Sequence, residues 1–326
     1  MIGALAKRAG RITGKVLKIA AIAVLALIAL VVVLLVLLAL RPATPNDYTK
    51  TVKTGGEIEK KYLKTGNSKV KYTEKSAPDP LKKFEIYYPA ELPDSQSQYP
   101  AVIFVNGSGV PAAKYKALFR HLASWGFIVA GNEDPSAGTG QSANLTLQCL
   151  LDQNSDPDSV FFEKLDTENI GISGHSQGGA GVLCSVSVGE YADFYKAAAA
   201  LSPTHEEMAR GLGWTYEPDK ISVPLLMFAG TEGDFETQLV LPFEKMTELY
   251  DKISGPKGMA RRSGAEHGEM LYSADGYVTA WFLWRLKGDA DAAKAFTGPD
   301  AELLRNKRYQ DQRIDMEQEL TAHDIG

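Results

Sequence analysis

The hexapeptide Gly174-His175-Ser176-Gln177-Gly178-Gly179 follows an apolar run, Asn169–Ser173, and precedes a small-residue stretch, Ala180–Val188. That setting constrains the chain more than the letters do. A Gly-x-Ser-x-Gly match alone is common in surface loops. Entered by a strand and left by a helix, it is what a nucleophile elbow requires. The turn is so sharp that its flanking positions must be nearly free of side chain, and the serine hydroxyl then stands above the sheet. A flexible glycine loop accounts for the glycines but not for their neighbours.

The rest of the chain supplies a sheet for such an elbow. Residues 57–75 alternate polar and apolar side chains around Gly66-Asn67, which predicts an early antiparallel pair. Phe84–Tyr88 reads as a further strand, ended by Pro89. From Ala101 onward, buried apolar runs alternate with helical patterns, the mark of a mostly parallel sheet. The predicted strands are Ala101–Val105, Phe127–Ala130, Asn169–Ser173, Lys196–Leu201, Leu225–Ala229 and Met259–Arg262. Predicted helices lie at Ala113–Trp125, Ser142–Asp152, Gln238–Ile253 and Tyr277–Leu286, and the charged tail from Gly288 is expected to form a helical cap. The fold class is therefore α/β, a twisted parallel sheet flanked by helices.

Charge divides the chain unevenly. The first 40 residues hold five of the 35 basic side chains and no acid, leaving 30 basic against 40 acidic and a formal charge of −10. A nucleic-acid partner would demand a basic face, so that class is excluded. Ile19–Leu40 is an unbroken apolar run of 22 residues. As a helix it would span roughly 33 Å, enough for a bilayer core. It exceeds the hydrophobic region of a cleaved signal peptide, and Arg41-Pro42 follows without a small-x-small site. The expectation is a signal anchor with its basic end in the cytoplasm and the acidic domain outside; a secreted product is the alternative if the segment is cleaved. The predicted organisation is a basic segment 1–18, a span 19–40, a tether 41–56, a catalytic domain 57–287 and a helical tail 288–326. Cys149 and Cys184 fall on predicted helices, either as a disulfide or as two buried thiols.

A serine hydroxyl needs a base within hydrogen-bond reach, and the base needs an orienting acid. In this sheet type the order is Ser, then Asp or Glu, then His. Leu225–Ala229 runs into Gly230-Thr231-Glu232-Gly233-Asp234, and Met259–Arg262 into Ser263-Gly264-Ala265-Glu266-His267-Gly268. Asp234 is the expected acid, with Glu232 as fallback, and His267 the expected base. His121, in a helix, His323, in the tail, and His205, which precedes the acid position, fit the order less well. The oxyanion calls for two backbone N–H donors: Gln177 at the helix start and Ser108 in the loop Asn106-Gly107-Ser108-Gly109, which also reads as a simple glycine turn. Gly107 and His175 are expected to contact substrate. The loop Asn132–Gly140 follows a strand end, so it either borders the cleft or is a solvated turn. The Trp214–Tyr216 segment reads as a small lid or as packing on the sheet edge.

These pieces, with Leu122-Ala123-Ser124-Trp125-Gly126-Phe127-Ile128-Val129, resemble the α/β-hydrolase superfamily over about residues 84–287. Within it the chain is similar to cutinase-like lipases and polyester hydrolases and to dienelactone-hydrolase-type esterases. It departs from them in beginning the oxyanion loop with Asn106-Gly107 where lipases often have His-Gly. Ser176 also stands where dienelactone hydrolases proper use cysteine. The resemblance implies hydrolysis of a small-molecule, lipid or polymer ester through an acyl-enzyme, without metal or organic cofactor. An acyltransferase or peptidase using the same triad, or a non-catalytic binding module on this fold, are the alternatives.

Overall fold

The computed structural model describes residues 41–316. The expected basic segment 1–18 and span 19–40 lie outside the described residues, as does the end of the tail. No helix among the described residues is long and apolar enough to cross a membrane.

Among the described residues, nine strands form one sheet: β1 (Val70–Ser76), β2 (Lys83–Pro89), β3 (Tyr99–Val105), β4 (Ile128–Asn132), β5 (Leu165–His175), β6 (Tyr195–Leu201), β7 (Leu225–Gly230), β8 (Lys257–Arg262) and β9 (Tyr309–Asp315). Their spatial order is β1-β2-β4-β3-β5-β6-β7-β8-β9. The six strands from β4 to β8 run parallel, while β1, β2 and β9 are antiparallel additions at the edges. From β3 the chain turns to one side to make β4, and β5 then lies on the other. The strand order therefore reverses between β3 and β5, and ligands bind open α/β sheets at such a switch point. Val105 sits in register with Gly174, so the loop after β3 emerges beside the elbow.

The principal helices are α1 (Glu57–Leu63), α2 (Lys116–Ser124), α3 (Gln141–Ser155), α4 (Gln177–Ser187), α5 (Glu206–Gly211), α6 (Phe243–Lys252) and α7 (Asp275–Lys287). Alternate residues of β3 serve the two faces of the sheet: Ala101, Ile103 and Val105 one, Val102 and Phe104 the other. That is the period-two pattern of a strand buried on both sides. Leu147 of α3, Leu183 of α4 and Leu249 of α6 join the first core, and Phe119 of α2 and Trp281 of α7 the second. In β6 the run Ala197–Ala200 is fully buried. Trp281 donates its indole N–H to the Ala198 carbonyl at 3.1 Å.

Four expectations are corrected. Residues 57–63 form helix α1, not a strand; Glu302 accepts from its first free donors, Ile58 N and Glu59 N, at 2.8 and 2.9 Å. The antiparallel partner of Val70–Ser76 is the next strand, β2. The tail beyond Gly288 ends not in a helical cap but in β9, an edge strand on β8. The predicted helix Gln238–Ile253 is interrupted: a π-helical turn, Phe235–Val240, stops at Leu241-Pro242 before α6 starts. The expected tether also packs closely from residue 44 onward, with Thr44 and Tyr48 buried and the Tyr48 hydroxyl donating to Asp275 at 2.6 Å. Cys149 and Cys184 are separate thiols.

The segments around Glu59 and Asn306 meet at the end of β8. Glu59 accepts from Gly55 N at 2.7 Å, Asn306 Nδ2 at 2.8 Å and the Tyr309 hydroxyl at 2.8 Å. It also pairs with Arg262, the last residue of β8, at 3.3 Å. Arg262 further donates to the Lys53 carbonyl and lies over the Tyr309 ring. Removing one partner of a buried pair strands the other charge. Arg262→Ala is therefore expected to lower unfolding free energy by about 3–5 kcal/mol, measured by urea denaturation at neutral pH. A loss below about 1 kcal/mol, the scale of a surface ion pair, would contradict this assignment.

Candidate active site

Ser176 sits at the tip of the β5–α4 turn with φ 60° and ψ −122°, a backbone conformation strained for any residue but glycine. Its N–H is held by the Leu201 carbonyl at 2.9 Å, and its own carbonyl accepts from Ala180 N at 3.1 Å. A side chain on Gly178 would run into the backbone of Val105 and Asn106, and one on Gly174 into the backbone of Gly178. These glycines let the end of β3 press against the start of α4. The Gln177 N–H, at the first position of α4, has no intrahelical acceptor.

The loop after β3 is tied down from below. Asn106 Nδ2 donates to the carbonyls of Asn132 and Asp134 at 2.7 and 2.9 Å. Gly107 N donates to the Tyr115 hydroxyl at 3.0 Å, and Gly109 N to the Pro135 carbonyl at 3.0 Å. Ser108 is exposed, and its N–H has no acceptor among the described residues. The loop thus presents Ser108 as a free donor beside the elbow. Gly107, expected at the substrate, is buried instead and lies against His175.

The carboxylate that meets His267 is not the expected Asp234 or Glu232. His267, at the start of a 3-10 turn, shares a 2.6 Å hydrogen bond through Nδ1 with Glu236 Oε2. Glu236 is 1% exposed, and its other oxygen accepts from Gly230 N at 2.6 Å and the Ser202 hydroxyl at 2.7 Å. Burial raises its carboxyl pKa, but the bonds from His267, Ser202 and Gly230 outweigh that and hold it below the ordinary value. Asp234 is exposed and accepts from Gln238 Nε2 at 2.6 Å, while Glu232 is exposed with its N–H on the Ala265 carbonyl at 3.0 Å. Neither makes a hydrogen bond to the imidazole among the described residues, and a π-helical turn, Phe235–Val240, follows them. Glu236, on the inward side of that turn, has the longer side chain needed to reach back. The acid and histidine loops are also stitched together: Thr231 N donates to the Ala265 carbonyl at 3.0 Å, and Gly264 N to Thr231 Oγ1 at 2.8 Å.

His175, also expected at the substrate, turns toward His267 instead. Its Nε2 lies 2.7 Å from the His267 carbonyl, so the neutral ring donates there. The two rings are 4.6 Å apart. Phe235, 54% exposed, stands edge-on to His267 at 4.9 Å. His121 is paired with Asp275 at 2.6 Å in a buried site of its own, and His205 caps α5, weakly accepting from Met208 N at 3.5 Å. His323 lies outside the described residues. The loop Asn132–Gly140 does reach the elbow, through Gln177 Nε2 and Ser136 Oγ at 3.4 Å. Trp214 packs flat over Gly138, and Tyr216 is buried with its hydroxyl on the Thr204 carbonyl at 3.0 Å, so this segment is packing and not a lid.

A family model described as PETase, PET hydrolase-like, matches residues 49–282, a stretch that includes Ser108, Ser176, Glu236 and His267. None of the curated proteins matches the chain.

Burial, and then the neighbouring His267, push the His175 imidazole down from 6.5 to about 4. Between those values the unfolded chain binds a proton that the folded chain refuses. Stability from this group is therefore complete above pH 6.5 and falls as pH drops toward 4, by roughly 3 kcal/mol. Urea titrations at pH 7 and pH 4 should show this loss, and His175→Phe should remove that share of it. An unchanged pH slope in His175→Phe would contradict the burial of a neutral ring.

Proposed function

The chain belongs to the PET hydrolase-like family, an ester hydrolase family of the α/β-hydrolase type, and on that premise we propose that it is a serine esterase working through an acyl-enzyme. One observation carries the reading: the 2.6 Å bond from His267 Nδ1 to the buried Glu236 leaves Nε2 as the free nitrogen, beside the residue that precedes Ser176. In this reading Ser176 attacks the ester carbonyl while His267 takes its proton. Glu236 fixes the imidazole tautomer and stabilises the imidazolium that forms, the role of the acid in a serine triad. The oxyanion of the tetrahedral intermediate is met by the N–H groups of Gln177 and Ser108, preorganised donors that do not need to move. As the intermediate collapses, His267 returns the proton to the leaving alcohol. Water then attacks the acyl-enzyme by the same route.

The substrate is a carboxylic ester, and the family's name points to polyester chains. The half-open ring of Phe235 beside His267 offers an apolar wall to either side of the ester bond. The apolar run 19–40 is proposed as a single-pass anchor that holds the catalytic domain outside the cytoplasm, as the basic flank favours.

Ser176→Ala is expected to keep the fold and lose hydrolysis of a short p-nitrophenyl ester, together with labelling by a fluorophosphonate. Unchanged turnover would end the proposal. The acid is tested separately. Glu236→Gln should lower kcat about a thousandfold or more, as loss of the orienting charge does in a serine triad. Asp234→Asn should stay within about twofold, since an exposed side chain off the site contributes little. The reverse pattern would restore Asp234 as the acid.

A further inference from the structure

His175 is buried at 8% exposure, yet it is a polar ring immediately before the nucleophile. It has two neighbours that matter. Its Nε2 donates to the backbone carbonyl of His267 at 2.7 Å, and its other side faces Gly107, where an added Cβ would lie 3.8 Å from Nδ1. A histidine in the elbow would ordinarily be read as a substrate contact. Here the ring is wedged between the oxyanion loop and the catalytic histidine.

We propose that His175 is a positioning residue for His267: it clamps the main chain of residue 267 while Glu236 clamps the ring, so the imidazole is fixed at two points. One clamp alone leaves a pivot. With only the Glu236 bond, the 266–268 backbone could rock about Nδ1 and swing Nε2 away from Ser176. With only the backbone held, the ring could turn about its own bonds. The capping box of Glu266 and Glu269 stiffens the same turn from its solvent side, so the His175 bond supplies the inner restraint. The donor must also be uncharged. A cation 4.6 Å from His267 would oppose the imidazolium that the reaction creates. Burial beside Gly107 and His267 keeps the ring neutral.

The kinetic part of this inference rests on the serine-esterase reading, so the test includes a measurement that does not. In the full-length protein, the proton shared by His267 Nδ1 and Glu236 should give a far-downfield proton resonance. His175→Phe keeps a ring but removes the donor, and should broaden or abolish that signal. The same variant should lower kcat about tenfold, the scale of one buried hydrogen bond, with KM within about twofold. His175→Gln, which restores an N–H of similar reach, should recover most of both. The proposal is overturned if KM rises while kcat holds, which would make His175 a substrate contact. It also fails if Gln recovers no more than Phe, or if the resonance is missing from the wild type or unaltered in His175→Phe. Should the Phe variant not fold, a Gln variant with wild-type resonance and turnover supports the clamp, and one lacking both rejects it. If the wild type hydrolyses no ester, the esterase reading falls and the resonances decide alone.

Discussion

A single buried carboxylate joins the parts of this site. Glu236 takes one bond from the end of β6 through Ser202, one from the end of β7 through Gly230 N, and one from the loop after β8 through His267. Three consecutive parallel strands are thereby tied at their carboxyl ends by one side chain. A carboxylate at 1% exposure is tolerable only when its lone pairs are met, and here both oxygens are. Ser202 has a backbone φ of 42°, outside the comfortable range for serine. Strain of that kind persists only where the surroundings determine it, and here the Phe228 carbonyl holds the Ser202 N–H at 2.7 Å.

The same principle works one layer down. Arg262 ends β8, five residues before His267, and its guanidinium is buried against Glu59, the Lys53 carbonyl and Tyr309. The N-terminal strap and the C-terminal strand thus converge on the base of the loop that carries the histidine. Ser263 N, at the start of that loop, donates to the Arg308 carbonyl at 3.0 Å. Segments that look peripheral in sequence therefore buttress the His267 loop in space.

What could be read from sequence follows from how local each signal is. The parallel strands β3 to β7 contain short apolar runs, legible because both faces of the sheet are covered. The elbow was legible because its glycines are demanded by backbone contacts within a few residues of Ser176. The carboxylate that pairs with His267 was not. Asp234 and Glu236 are two positions apart, and the π-helical turn decides which faces inward; its i→i+5 wind leaves no mark in hydrophobic periodicity. Strand β9 was missed because this edge strand, YQDQRID, buries only Tyr309 and carries three charges, which resembles a solvated tail. Helix α1 was misread because Ile58 and Tyr62 are four apart, a spacing that fits alternation as well as one helical face.

A second histidine–carboxylate pair in the molecule shows why the geometry, and not the pairing, defines the site. His121 Nδ1 lies 2.6 Å from Asp275, the same separation as in the His267–Glu236 pair, and Asp275 also accepts from Tyr48. Burial lowers the His121 pKa, but the charge and hydrogen bond of Asp275 outweigh it and raise it above the ordinary value. Its other nitrogen is 2.9 Å from the Lys64 carbonyl, so neither ring nitrogen is free to take a proton from a substrate. This pair sits between α2 and α7, on the flank of the sheet, and pins the strap at Tyr48. His267 differs in two respects. It lies in the loop after the carboxyl end of β8, its ring 4.6 Å from that of His175 in the elbow, and its side chain keeps 14% exposure with one nitrogen uncommitted. A buried, doubly bonded imidazole holds a fold together; a singly bonded one at a strand end can move a proton.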